Sequence, residues 1–168
     1  RRSRLFRRLD QLGNVGWWED VLVPEDVDGY AKLAEAVNTP ITAGEQYSNR
    51  FQFRDLFRAR AVDIINPDVA RMGLTEMKRI AIMADVHNVL FSPHQGMGSA
   101  PYRAASLHIG AATPNFVILE GGDASGGPLV NPLLKEGFVY KGGYAEVPNR
   151  PGLGVEFDEK ALARVVVG

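Results

Sequence analysis

No cysteine occurs in this chain, which excludes disulfides and thiolate metal sites and accords with a reducing, cytoplasmic setting. No stretch approaches the roughly 18 consecutive apolar residues that a membrane-spanning helix needs. Net charge is nearly absent as well. Lys+Arg 19 against Asp+Glu 20 gives −1, which makes no electrostatic case for nucleic acid or a membrane surface. Arg1 to Arg8 is basic, but no apolar segment follows it, so it does not read as a signal peptide. No glycine fingerprint follows the first apolar run, which disfavours a dinucleotide-binding sheet.

What is present is an ordinary globular composition, 45% hydrophobic and 23% charged, in 168 residues, enough for one sizeable core. Its organising feature is a set of five apolar runs, each ending on an ionisable residue. Val15-Gly16-Trp17-Trp18 ends at Glu19. Ile41 to Gly44 ends at Glu45. The run from Ala61 to Ile65 leads to Asp68, Val89 to Pro93 leads to His94, and Phe116 to Leu119 ends at Glu120. Glu45 follows Glu19 by 26 residues, Asp68 follows Glu45 by 23, His94 follows Asp68 by 26, and Glu120 follows His94 by 26. Between the runs lie helical patterns. Tyr30, Leu33, Ala34 and Val37 form one stripe, capped by Asp26 or Asp28. Phe53, Leu56 and Phe57 mark a helix over about 50–60, capped by Ser48 or Asn49. Met77, Ile80, Ala81 and Ala84 mark another, which Thr75 can cap. A further helix spans about 100–112, with Ala104, Leu107 and Ala111 on its apolar side.

These repeats predict an α/β fold in which strands Val15–Glu19, Ile41–Glu45, Val62–Asn66, Val89–Ser92 and Phe116–Leu119 form a parallel sheet. Polar residues closing successive strands favour a (β/α)8-type barrel, whose active site lies at that face. Five strands alone leave two unpaired edges. Residues 1–120 are therefore expected to be the C-terminal portion of a barrel, about strands 4–8, with its first strands missing. Residues 121–168 form a β-rich tail: a glycine-rich loop, then a hairpin at Lys141-Gly142-Gly143, then the turn Pro151-Gly152-Leu153-Gly154 and a short helix over 159–167. The tail belongs to no strand-helix unit and is expected to pack on an absent domain.

Glu19 and Glu45 close neighbouring strands, so their carboxylates can converge on one hard cation such as Mg²⁺. A third carboxylate is expected about one repeat earlier, before Arg1. Asp68 and His94 also close neighbouring strands. A carboxylate on one imidazole nitrogen fixes the tautomer and leaves the other nitrogen for a substrate proton. Glu120 can bond a developing oxyanion if protonated, or hold a positive neighbour if not. A cation beside a base suggests removal of a proton next to a carboxylate, a weak acid whose enediolate needs electrostatic stabilisation. His87 reads as an exposed helix-end residue, His108 as a packed helix residue, and Trp17 and Trp18 as wall residues.

The motifs Trp18-Glu19-Asp20, Ala43-Gly44-Glu45, Ile64-Ile65-Asn66-Pro67-Asp68, Ser92-Pro93-His94 and Asn115 to Glu120 together resemble the C-terminal barrel half of the enolase superfamily, in its mandelate racemase subgroup and most like its sugar-acid dehydratases. The resemblance runs from about Val15 to Glu120 and again near Pro151 to Val155. It implies metal ligands Glu19 and Glu45, a dyad of Asp68 and His94, and a substrate-contacting Glu120. It implies Mg²⁺ as cofactor and a small hydroxy-acid or sugar-acid substrate, with no nucleic-acid or membrane partner, in a homo-oligomer. Asp20 and Val21 stand where the family has Glu-Pro, and Met72-Gly73-Leu74 lacks one of two usual glycines. The leading expectation is dehydration of a sugar acid to a 2-keto-3-deoxy acid by the full-length protein, the fragment alone being inactive. Racemisation of a 2-hydroxy acid and an inert half-barrel are the alternatives.

Overall fold

The computed structural model describes residues 2–96, 98–121 and 130–165. Among these residues, six α-helices and six strands follow in the order α1 Arg2–Asp10, β1 Trp18–Glu19, α2 Val27–Ala34, β2 Ile41–Ala43, α3 Arg50–Arg58, β3 Ile64–Ile65, α4 Val69–Val86, β4 Leu90–Phe91, α5 Ala100–Ala111, β5 Tyr140–Lys141, β6 Tyr144–Ala145 and α6 Glu159–Leu162. A 3-10 turn at Asn131–Leu133 precedes β5. No helix among the described residues is long and apolar enough to cross a membrane.

β1 to β4 form one parallel sheet in consecutive order. Right-handed crossovers in that order place successive helices on one face, and α2 packs on α3, α3 on α4 and α4 on α5. A doubly wound sheet would instead reverse its strand order. The core lies between these layers. Tyr30, Ile41, Phe53, Leu56, Ile65, Met77, Ile80 and Phe91 are all buried there. The predicted stripes on α2, α3 and α4 are the faces that supply it. Asp26 caps α2 by accepting from Gly29 N–H, and Asn49 caps α3 by accepting from Phe51 and Gln52.

Regular strand pairing is shorter than the apolar runs predict, two or three residues per strand. Pro67 and Pro93 interrupt the ladder because proline has no N–H to donate. Isolated backbone bonds nevertheless carry the register outward: Asp20 N–H to Thr42 O, Asn66 to Ala43, His94 to Pro67 and Glu120 to Pro93. The expected fifth strand is reduced to a single parallel bridge, Phe91 to Phe116, with Val117 N–H donating to Phe91 O. Its outer side has no strand partner among the described residues, and Phe116, Val117 and Ile118 are exposed.

Two helix boundaries differ from expectation. α4 starts at Val69, where Asp68 caps it by accepting from Ala70 N–H, so a helical segment precedes the one expected from about Thr75. Gly73, at φ 73° and ψ 164°, then breaks the helix before the long apolar run resumes. α6 ends at Leu162. The hairpin stands as predicted, with Gly142 and Gly143 both at positive φ in the two-residue turn. Of the glycine-rich loop, residues 122–129 lie outside the described set. The described tail packs on α5: Ala100, Ala104 and Leu107 meet Val130, Leu134 and Phe138.

Candidate active site

The strand ends bring Glu19, Glu45, Asp68, His94 and Glu120 to one edge of the sheet, and His94 stands at the centre of that group. Its Nδ1 lies 2.8 Å from Asp68 Oδ2. Its Nε2 lies 3.1 Å from Glu45 Oε2 and 3.6 Å from Glu120 Oε2. Asp68 is buried, with its two oxygens turned to different tasks. Oδ1 accepts Ala70 N–H at 2.7 Å as the cap of α4, and Oδ2 faces the imidazole. The helix therefore fixes the carboxylate that fixes the histidine. Glu120 is held in turn by Gln95 N–H, 2.8 Å from its Oε2.

Glu45 links this group to a second one. Glu19, Asp20 and Glu45 each offer a carboxylate oxygen, all within 4.8 Å of one another. Gly44 makes the approach possible. Its φ of 142° and the 2.7 Å that would separate an added Cβ from Phe53 Cε1 leave room only for glycine. Asn66, buried one residue before Pro67, donates its amide to Glu19 Oε1 at 3.1 Å and Asp20 Oδ2 at 3.4 Å. Trp17 Nε1 donates to Glu19 Oε2 at 2.8 Å. Burial is the largest influence on Asp20 and raises its pKa above the usual carboxylate value of 3.8; the nearby charges of Glu45 and Glu19 push the same way, against the hydrogen bonds from the Asn66 amide and the Gly44 N–H. Three converging carboxylates repel unless protons or a cation lie among them, and an all-oxygen donor set suits a hard divalent cation such as Mg²⁺. A cavity of about 190 Å³ opens between this group and Glu120, walled by Trp17, Glu19, Asn66, Ser92, Leu119 and Glu120.

Three contributors were invisible in the sequence pattern. Asp20 follows Glu19, and strand alternation would turn it to the opposite face. Its φ of 43° breaks the alternation and returns it to the cluster. Asn66 looks like one more residue before a proline. Tyr102, on α5, donates to Asp68 Oδ2 at 3.0 Å from 34 residues away. The other histidines stay apart from the group: His87 is exposed and stacks on Phe57 at 5.3 Å, and His108 Nε2 lies 3.1 Å from Leu153 O.

Comparison with known proteins agrees with this architecture. Residues 1–161 match the family described as enolase C-terminal domain-like. The chain is 35% identical over 147 residues to D-galactonate dehydratase of Ralstonia pickettii (strain 12J), covering 84% of this chain and 38% of that protein. It is 34% identical over 168 residues to D-xylonate dehydratase of Haloferax volcanii, covering 99% of this chain and 40% of that protein. The crystal structure of a mandelate racemase/muconate lactonizing enzyme from Sulfitobacter sp superposes with a TM-score of 0.86 at 31% identity, over 96% of this chain and 40% of that one. The chain thus spans about two-fifths of the length of these relatives.

Proposed function

Because this chain belongs to the enolase C-terminal domain-like family, we propose that the whole protein containing it dehydrates a sugar acid to a 2-keto-3-deoxy acid. The names of the relatives support the substrate class and reaction. The observation that carries the reading is the placement of His94, with Nδ1 committed to Asp68 and Nε2 turned toward Glu45 and Glu120. The consecutively ordered parallel sheet is read as about strands 4–8 of a (β/α)8 barrel. The exposed apolar edge at Phe116, Val117 and Ile118 supports further strands or a second copy covering it, as in a homo-oligomer. The 168 residues by themselves are expected to be inactive, and the cytoplasm is the proposed setting.

In this reading Glu19 and Glu45, joined by Asp20, hold Mg²⁺. When bound, the ion supplies electrostatic stabilisation for the charge that develops on the substrate carboxylate. His94 exchanges protons at Nε2. It takes the proton alpha to the carboxylate, or gives a proton to the β-hydroxyl as the C–O bond breaks and water leaves. Asp68 keeps Nδ1 protonated and stabilises the imidazolium. Glu120, fixed by Gln95 N–H, steadies the enediolate oxygen when it carries a proton.

The test is to incubate the full-length protein with Mg²⁺ and a panel of sugar acids in D₂O. A 2-keto-3-deoxy product is expected. Alpha-deuterated acid without a keto product would replace dehydration by racemisation or epimerisation, a second reading favoured by the described name of the Sulfitobacter relative. Neither product with any acid overturns both readings.

A further inference from the structure

The hydroxyl of Tyr102 sits where the dyad, the loop after it and helix α5 meet. It lies 3.0 Å from Asp68 Oδ2, the same oxygen that faces His94 Nδ1, and Gly96 N–H donates to it at 3.1 Å. Its contacts with His94 Nδ1 and His94 O are longer, 3.5 and 3.3 Å. A phenol has one proton to give. The charged and nearer carboxylate takes it, so the hydroxyl accepts from Gly96 and donates to Asp68. Asp68 then receives three hydrogen bonds: Ala70 on Oδ1, and Tyr102 together with His94 on Oδ2.

The ring is placed with equal care. A Cβ at Gly98 would stand 2.0 Å from Tyr102 Cδ1, and one at Gly96 would stand 3.0 Å from His94 Cε1. The two glycines let the loop lie against both rings. Ser106 Oγ donates to Tyr102 O one turn along, and the Tyr102 side chain packs against the main core. Burial, followed by the Asp68 charge, pushes the phenol pKa well above its usual value, so it stays a donor at working pH.

We infer that Tyr102 is a positioning residue of the proposed dehydration, holding Asp68 Oδ2 toward His94 and tying the Gly96 loop to the same point. Resting on the function proposed above, the role is second-hand: Tyr102 acts on the substrate only through Asp68 and His94. Removing its hydroxyl leaves Oδ2 with one donor in place of two and Gly96 N–H without its acceptor.

The experiment compares full-length protein, Tyr102→Phe and a variant with 3-fluorotyrosine at position 102, which keeps a hydroxyl donor. All are checked for equal thermal midpoints. Two readouts are taken with Mg²⁺ present: the downfield proton resonance of His94 Nδ1–H without substrate, and the steady-state kinetics. In Tyr102→Phe the resonance is expected to leave its wild-type position, because its acceptor oxygen has lost a competing donor. The kcat is expected to fall about 10- to 100-fold, as for other outer-shell partners, with KM nearly unchanged. The fluorotyrosine variant is expected to restore kcat. An unmoved resonance overturns the inference, and so does an unchanged kcat in an active enzyme. A wild-type protein inactive on sugar acids overturns the proposed reaction instead, and the resonance then decides the hydrogen bond by itself.

Discussion

Asp68 and Asp20 are both aspartates at the ends of parallel strands, yet their surroundings differ in sign of charge. Asp68 is enclosed by donors: a helix N-terminus, an imidazole and a phenol. Asp20 faces two carboxylates, Glu19 and Glu45, relieved by two donors, the Asn66 amide and the Gly44 N–H. The first arrangement is complete by itself and orients a proton-transfer group. The second is complete only when positive charge enters. A site that must hold both a base and a cation separates the two environments, and here Glu45 is the hinge between them, near His94 on one side and the acidic group on the other.

The largest effect is expected from Asp68→Asn in the full-length protein. The amide keeps an acceptor for Ala70 but turns an NH₂ toward His94 Nδ1 and Tyr102, which forces the wrong tautomer. Loss of kcat by about 10²- to 10⁴-fold, with thermal stability little changed, is expected from steady-state kinetics and calorimetry. A variant that keeps kcat would remove the distinction drawn between the two aspartates.

Asp20→Asn should act in the reverse sense. Without divalent cation it relieves repulsion, and the unfolding midpoint at neutral pH rises. With Mg²⁺ the variant shows a smaller metal-induced rise than wild type. The sign follows from the raised pKa: stability is fully present below 3.8 and is lost as pH climbs through the higher folded-state value. Thermal melts across that range, with and without Mg²⁺, check this. A lower midpoint in the metal-free variant would show that the Asn66 and Gly44 donors outweigh the neighbouring carboxylates.

The smallest effect belongs to a third aspartate far from the site. Asp10, at the end of α1, accepts from Thr39 Oγ1 and from the backbone of Asn38 and Thr39, which lowers its pKa from 3.8 to about 2. Its ionised form favours the folded state above 3.8, and that contribution disappears as pH falls through about 2. Asp10→Asn should lower the midpoint by a few degrees at neutral pH, with the difference closing in acid. It separates a donor-satisfied carboxylate on the surface from Asp68, whose bonds serve a site.

Much of the fold could be read from periodicity. The stripe Met77, Ile80, Ala81, Ala84 is buried as its spacing implies, and the register of five strand ends places Glu19, Glu45, Asp68, His94 and Glu120 on one edge. The start of α4 could not be read this way. Asp68 reads as a strand-end acid, and nothing in the pattern says that it also caps a helical segment that ends at Gly73. The fifth strand is cut short for another reason: Pro93 has no N–H to continue the ladder beyond the Phe91 to Phe116 bridge, and the next backbone bond is Glu120 N–H to Pro93 O.

The sequence by itself determined which residue types reach the strand ends and at what interval, because strand and helix periods are local properties of the chain. The tertiary structure alone decided how those residues share their charges. A left-handed φ at Asp20 reversed the direction that alternation assigns, and Gly44 opened the space for Glu45. Tyr102 crossed from α5 to Asp68. Such convergence depends on strand order, on helix placement and on single backbone angles, and hydrophobic spacing carries none of that information.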